Sequence, residues 1–257
     1  MIALDEQVAR AADLLRPARA AVAFTGAGLS THSGIPDFRS PGSGLWEERD
    51  PFEFASLSAF RYHPEKFFAW VRPLAALIHQ AQPNSAHRAV AALEAAGHLQ
   101  AVITQNIDGL HKRAGSRHVY EIHGTLDTAT CRECHRTVPG RMPLERFIHE
   151  GVLPVCEACG GILKPDVILM EEQLPAQIFH QAREAARAAD VMLVLGSSLE
   201  VLPAAGLPME ALRFGARLIV INLGPTYLDE RADLHIHADV AEVLPQIGAA
   251  LGISVHA

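Results

Sequence analysis

Short apolar runs alternating with helix-forming stretches constrain this chain more than any other feature. Ala20–Thr25, Ala101–Thr104, Asp166–Met170, Val191–Leu195 and Arg217–Asn222 each carry the mostly apolar or β-branched residues of a buried strand. Helices are expected at about 3–16, from Asn84 or Ser85 to Ala96, near 175–189 and near 203–214. Asn84 or Ser85 offers an oxygen to the open N–H groups of a helix start, and Gly97 suits the left-handed position after a helix end. Strands separated by helices need crossover connections, which make neighbouring strands parallel and cover both faces of the sheet. The expected fold class is therefore α/β, a doubly wound, mostly parallel sheet.

Two stretches break that rhythm. Residues 46–83 hold Trp46, Phe52, Phe54, Phe60, Tyr62, Phe67, Phe68 and Trp70, eight of the chain's fifteen aromatics, in a helical pattern. Residues 127–164 hold every cysteine together with several turn-forming Pro and Gly. Both are read as insertions that together form a small second domain, leaving 1–45, 84–126 and 165–257 as the large one. A small domain over the carboxyl edge of a parallel sheet creates a cleft where ligands bind.

The four cysteines form two pairs, Cys131/Cys134 and Cys156/Cys159, with 21 residues between the pairs. Two chelating turns of this spacing supply the four thiolates of a tetrahedral zinc site with no open position, so the metal is expected to be structural. A redox dithiol pair or an iron knuckle are the alternatives. His135 beside the knuckle is expected to be a loop residue, because four sulfurs complete the sphere. No signal peptide is evident at Met1–Arg16, and no apolar run approaches the length of a membrane span. The chain is read as soluble and intracellular, in a reducing compartment. With 22 basic against 29 acidic residues the net charge is −7, without a block of like charges, which argues against a nucleic-acid partner.

The candidate ligand residues cluster after the strands. Gly26-Ala27-Gly28 follows the first strand with small residues that let backbone N–H groups approach a pyrophosphate. Thr31 stands where a dehydrogenase fingerprint has its third glycine, and no acidic residue follows a second strand at the usual distance, so an ordinary NAD dehydrogenase is disfavoured. Ser33 to Ser40, including Asp37, Phe38 and Arg39, is read as an ordered lid over a ligand. Gln105, Asn106 and Asp108 put two amides and a carboxylate at the sheet's ligand edge, suited to ribose and carboxamide. His123 closes the apolar run from Val119 and is either a structural residue or a general base; these neighbours favour the base. His111, three residues after Asp108, is its competitor. Gly196-Ser197-Ser198 and Asn222-Leu223-Gly224 follow the strands at 191–195 and 217–222, where phosphates and an adenosine ribose would be met, although each could serve as a turn or cap.

Taken together, Gly26-Ala-Gly-Leu-Ser30, Gly34-Ile-Pro-Asp-Phe-Arg39, Thr104-Gln-Asn-Ile-Asp-Gly-Leu-His111, His123-Gly124, the paired cysteine knuckles, Gly196-Ser-Ser-Leu199 and Ile221-Asn-Leu-Gly224 resemble, in order, the motifs of the sirtuins. These are NAD-dependent protein lysine deacylases, and the resemblance spans about residues 3–250 of what looks like a compact prokaryotic-type catalytic core. It implies a Rossmann-like large domain, and a small domain of a zinc ribbon and a helical module. NAD and an acyl-lysine peptide would meet in the cleft between them, with nicotinamide released and the acyl group transferred to ADP-ribose. His123 would be the general base for a ribose hydroxyl, while Asn106 and Asp108 would organise the nicotinamide pocket and reactive ribose. Gln105 would contact ribose, Ile107 would belong to the same pocket, and Phe38 would shield the cationic sugar from water. Gly26, Ala27, Gly28, Asp37 and Arg39 would line the NAD pocket, and Gly196, Ser197, Ser198, Asn222, Leu223 and Gly224 would hold the adenosine half. Zinc would sit on Cys131, Cys134, Cys156 and Cys159.

One departure falls in the substrate region. Family members usually carry an apolar strand ending in Phe-Gly-Glu that pairs with the peptide backbone, and here the run is Val167-Ile-Leu-Met170-Glu171-Glu172. The Tyr-x-x-Arg pair of members that prefer acidic acyl groups is not found among Phe67, Phe68, Trp70 and Arg72, so neutral acyl groups are expected. Mono-ADP-ribosyl transfer, NAD hydrolysis or a non-catalytic NAD-sensing module are the alternative functions for the same pocket. A cytoplasmic monomer without membrane or direct nucleic-acid partners is expected.

Overall fold

The computed structural model describes residues 3–37 and 50–255. In chain order these begin with α1 (Leu4–Leu15), β1 (Ala21–Thr25), α2 (Pro51–Phe54), α3 (Leu57–Tyr62), α4 (Pro64–Gln80), α5 (Ser85–Ala95), β2 (Ala101–Thr104), α6 (Leu110–Arg113) and β3 (Val119–Glu121). There follow β4 (Gly124–Cys131), β5 (Thr137–Pro139), α7 (Arg141–Glu150), β6 (Leu163–Val167), α8 (Ala176–Ala188) and β7 (Val191–Leu195). The chain then forms α9 (Leu207–Arg213), β8 (Arg217–Ile221), β9 (Leu234–Ile236) and α10 (Val240–Ala250).

Six strands form one sheet in the order β3-β2-β1-β7-β8-β9, with every neighbouring pair parallel. Successive side chains of a strand point to opposite faces. Ala21, Ala23, Val102, Leu193 and Ile219 accordingly pack under α1, α5 and α10, while Val22, Phe24, Ile103, Met192 and Val220 pack under α8 and α9. Both faces are covered, which is why these strands read as continuous apolar runs and not as alternating ones. Asn84 caps α5 by accepting from the N–H groups of Ala86 and His87, and Gly97 follows that helix at φ +81°.

The order of strands places the topological switch between β1 and β7. From β1 the chain proceeds outward to β2 and β3, and from β7 it proceeds the other way to β8 and β9. The loops after β1 and β7 therefore diverge at the carboxyl edge and leave a crevice.

The strand expected at Asp166–Met170 differs. It runs instead over Leu163–Val167 and pairs antiparallel with β4, in a three-stranded sheet β5-β4-β6 separate from the parallel one. An apolar run is compatible with either sheet, and here it pairs with β4, Leu163 standing opposite Cys131. The helix expected near 203–214 is a short 3-10 turn, Ala204–Gly206, leading into α9. β9 and α10 complete the sheet and its cover, at positions where no element was expected; three residues are too few for β9 to show a period. The two insertions meet in an aromatic cluster in which Phe68 of α4 stands edge-on to Phe60 at 5.7 Å and to Phe147 of α7 at 5.1 Å. Trp46 lies outside the described residues.

Candidate active site and metal centre

A cleft of ≈ 1120 Å³ opens at the switch point, with the sheet's loops on one side and α4 and residues 167–174 on the other. Its floor is set by backbone packing between the loops after β1 and β7. The Gly28 N–H donates to the Gly196 carbonyl at 2.9 Å. A Cβ on Gly28 would stand 2.9 Å from that carbonyl oxygen, and one on Gly196, whose φ is +58°, would stand 2.5 Å from the Leu29 nitrogen. Neither position accommodates a side chain, so the glycines let two loops touch through their backbones.

Gly26, Ala27, Gly28 and Asp37 line the cleft after β1, and Gln105, Asn106, Ile107 and Asp108 line it after β2. Gly196, Ser197 and Ser198 line it after β7, and Asn222, Leu223 and Gly224 after β8, with His123 at the end of the β3 run. All of these expected residues are thus brought to one cavity. Phe38 and Arg39 lie outside the described residues. Gln105 Nε2 donates to Ser197 Oγ at 2.8 Å, joining two of the loops.

At the centre, Asn106 Nδ2 donates to the Gly26 carbonyl at 3.0 Å and to Ser30 Oγ at 3.1 Å. Ser30 in turn donates its single hydroxyl hydrogen to Asp108 Oδ2 at 2.6 Å, and the Leu110 N–H reaches Asp108 Oδ1 at 2.9 Å. Burial raises the Asp108 pKa, and the Ser30 and Leu110 hydrogen bonds oppose that by favouring the carboxylate. Ser30 also approaches His87 Nε2 at 3.4 Å. Because His87 Nδ1 accepts the Asn84 N–H at 3.3 Å, the ring proton is on Nε2 and points at Ser30. Ser30 and His87 were not among the expected site residues: they stand 57 positions apart, and only the fold brings them under Asp108.

His123 and His111 separate clearly. His123 Nδ1 lies 3.0 Å from the Gln105 carbonyl and must donate to it, which leaves Nε2 as an unprotonated acceptor on a residue that lines the cleft. Burial lowers the His123 pKa, the Gln105 carbonyl opposing, so the ring is neutral at pH 7. His111 is buried beneath the site with Nε2 on Thr25 Oγ1 at 3.0 Å, and Thr25 donates onward to Thr104 Oγ1 at 2.8 Å. It is a packing residue of the strand ends.

The two buried imidazoles have a measurable consequence. Burial, helped by the charges of His111 and Arg88, lowers the His87 pKa to about 2, and burial lowers that of His111 to about 4. Above pH 6.5 neither state of the chain carries these protons; below it the unfolded chain binds them and the folded chain does not. Stability is therefore full above the unfolded pKa and is lost as the pH falls toward the folded values, by about 2 kcal/mol per imidazole at pH 5. Thermal unfolding is expected to shift down by about 5–15 °C between pH 7 and pH 5. A flat profile over that range would refute the buried neutral pair.

The four cysteine Sγ atoms lie within 4.8 Å of one another. Cys131 and Cys159 sulfurs are 3.4 Å apart and Cys134 and Cys156 sulfurs 3.7 Å apart. A tetrahedron with zinc–sulfur bonds of about 2.3 Å has edges of about 3.8 Å, so the donor set fits structural zinc. The backbone N–H groups of Cys134 and Glu133 face the Cys131 sulfur and lower its pKa to about 7, which favours the thiolate that a metal needs.

Fold, cleft and cysteine cluster together define an α/β nucleotide-site protein with a metal-stabilised insertion. The Sir2 family model matches residues 26–203. The chain is 44% identical over 245 residues to the NAD-dependent protein deacylase 2 of Archaeoglobus fulgidus, covering 95% of this chain and 96% of that one. A structure described as the structural basis for the mechanism and regulation of Sir2 enzymes superposes with a TM-score of 0.90 at 43% identity, covering 96% of this chain and 98% of the other. A structure of Sir2 with a p53 peptide and NAD+ superposes with a TM-score of 0.86 at 37% identity, covering 95% and 98%. This chain belongs to the Sir2 family.

Proposed function

We propose that this chain is an NAD-dependent protein lysine deacylase, most active on acetyl and other neutral acyl groups. The observation that carries the reading is the free Nε2 of His123 in the cleft that also holds Asn106 and Asp108, in a chain that shares the Sir2 fold from end to end. NAD fits the donor set: amides and a carboxylate stand where ribose and carboxamide would be bound, and the loops meet without side chains between them. When bound, NAD supplies the glycosidic bond whose cleavage releases nicotinamide and provides the acceptor for the acyl group.

The chain's residues supply the rest. His123 Nε2 takes a proton from a ribose hydroxyl. Asn106 and Asp108, fixed by Ser30, orient the reacting sugar, and the Asp108 carboxylate faces the positive charge that develops there. Gln105 reaches ribose, and Phe38 closes the sugar off from water. Gly26, Ala27, Gly28, Asp37, Arg39 and Ile107 form the nicotinamide and phosphate part of the site; Gly196, Ser197, Ser198, Asn222, Leu223 and Gly224 form the adenosine part. Zinc on the four cysteines supports the insertion and lies outside the chemistry. The division into a large domain (1–45, 84–126, 165–257) and a small one (46–83, 127–164) follows from the same reading.

No helix of the described residues is long and apolar enough to cross a membrane. The unpaired thiols of the cysteine cluster support a reducing compartment, the cytoplasm. The largest exposed apolar side chains, among them Tyr62, Met142, Leu202 and Phe214, are spread over separate elements, which supports a monomer. The acidic balance supports the absence of a direct nucleic-acid partner.

Mass spectrometry after incubation of an acetyl-lysine peptide with the protein and NAD separates the readings. Loss of acetyl with formation of acetyl-ADP-ribose is expected. A peptide or protein gaining ADP-ribose would mean mono-ADP-ribosyl transfer, free ADP-ribose with intact peptide would mean NAD hydrolysis, and no change would mean a sensing module. The acetyl peptide is expected to be turned over at least about tenfold faster than its succinyl counterpart, because Phe67, Phe68, Trp70 and Arg72 include no Tyr-x-x-Arg pair to balance a buried carboxylate, and Arg72 is bonded to the Ile148 and His149 carbonyls. Faster succinyl removal would refute the preference.

A further inference from the structure

Residues Leu169 to Glu172 form a β-turn in which the Glu172 N–H donates to the Leu169 carbonyl at 3.1 Å, and the Glu172 carboxylate accepts the Leu169 N–H at 2.8 Å. The third residue of the turn, Glu171, has φ +71°. A positive φ at that position is the requirement that makes glycine the usual occupant, because a Cβ there crowds the neighbouring carbonyl. Glutamate is present instead, and its side chain is anchored. Glu171 Oε2 accepts from Ser58 Oγ at 2.7 Å and from the Ser58 N–H at 2.9 Å. Those two bonds, with the nearby charge of Arg61, hold the Glu171 carboxyl below the usual carboxylate range.

The turn is joined to the catalytic histidine as well as to the helical module. The Ile168 N–H donates to the His123 carbonyl at 2.8 Å, the Met170 N–H donates to the Ala55 carbonyl at 2.9 Å, and the Leu57 N–H donates to the Met170 carbonyl at 3.0 Å. Residues 168–171 thus run as a strap from His123 to the first turn of α3, and they form part of the cleft wall. This wall packs against α4, where Leu169 joins Phe67 and Phe68 in the aromatic cluster.

We propose that Glu171 is a positioning residue for the acyl-peptide. Its carboxylate latches onto Ser58 and holds the turn in a conformation that glycine would adopt unaided, fixing the wall that the peptide meets. The proposal rests on the deacylase reading. It makes a specific claim about how this chain dispenses with a glycine: loss of the latch is harmful only while the residue at 171 resists a positive φ.

The experiment uses the full chain with an acetyl-lysine peptide, varying peptide and NAD separately. Glu171→Ala is expected to raise the peptide KM about 5- to 10-fold, the loss of a charged hydrogen bond, and Ser58→Ala, which removes the hydroxyl but keeps the Ser58 N–H bond, about 2- to 4-fold, with the NAD KM and thermal midpoint unchanged. Glu171→Gln keeps an acceptor for Ser58 and is expected within about twofold of the parent. Glu171→Gly removes both the latch and the need for it, so Glu171→Gly is expected near the parent value, and adding it to Ser58→Ala is expected to restore the peptide KM. A parent-like KM for Ser58→Ala and Glu171→Ala, or failure of Glu171→Gly to rescue Ser58→Ala, overturns the latch. Impairment of Glu171→Gln equal to that of Glu171→Ala also overturns it, since the charge would then act on the peptide directly. If the parent protein does not turn over the peptide, the deacylase reading fails instead, and peptide affinity by fluorescence anisotropy gives the same comparison of variants.

Discussion

Replacing His123 with alanine is expected to lower turnover of an acetyl-lysine peptide by about 10²–10⁴-fold, the range for loss of a general base, while leaving the fold and bound zinc intact. The size of the effect follows from where the proton acceptor sits. Nδ1 is committed to the Gln105 carbonyl at 3.0 Å, so a single lone pair, on Nε2, serves the cleft. His111 and His87 cannot replace it, being buried beneath the site and engaged with Thr25, Asn84 and Ser30. The pH profile carries the same assignment. Burial lowers the His123 pKa, so the acid limb of kcat/KM is expected below 6.5, and the alanine variant is expected to lack that limb. Deacylation by the variant at the parent rate would remove His123 from the chemistry.

Stripping the metal, or replacing Cys156 with serine, is expected to abolish peptide turnover while most of the parallel sheet remains folded. The α7 end of the insertion packs in the aromatic cluster, but the cysteine end has little else to hold it. Its own apolar cluster consists of Ala129, Cys131, Cys156 and Leu163, with Val138 partly buried beside them, and two of these are metal ligands. Without the metal, four thiols crowd within 4.8 Å of one another, and folding free energy that a structural zinc supplies is lost. The damage reaches the cleft because β6 leads directly into residues 168–170, which bond to His123 and Ala55. The parallel sheet has separate cores on its two faces and does not depend on the insertion. Far-UV circular dichroism is therefore expected to fall by roughly a fifth or less while activity disappears. A zinc-free protein that retained parent activity would show that the insertion folds without its metal.

The sequence was most legible where burial alone decides the outcome. Val191–Leu195 and Ala101–Thr104 appear with the expected bounds because both faces of these strands are covered, so an apolar run has one interpretation. The cleft-lining residues were legible for a related reason: polar residues directly after buried strands have no packing role to explain them. Leu163–Val167 was not, since an apolar stretch carries no record of which partner it will pair with, and its partner, β4, lies more than thirty residues earlier in the chain. Ser30 and His87 were invisible as a pair, because a hydrogen bond between residues far apart in sequence leaves no local pattern. Glu171 shows the opposite limit. Its identity argues against a left-handed turn, and the compensating contact comes from Ser58, which is 113 positions away.

The route of the chain through the sheet has a wider consequence. The polypeptide leaves at β3, an edge strand, and α8 returns it to β7 beside β1, so residues 124–175, after His123 and before α8, lie between two strands that never touch each other. Exchanging that whole span for another of similar end-to-end distance would leave every pairing of the parallel sheet in register. The half of the molecule that handles the dinucleotide can therefore stay constant while the peptide-facing half diverges, an arrangement in which new preferences can be acquired without re-inventing the reaction.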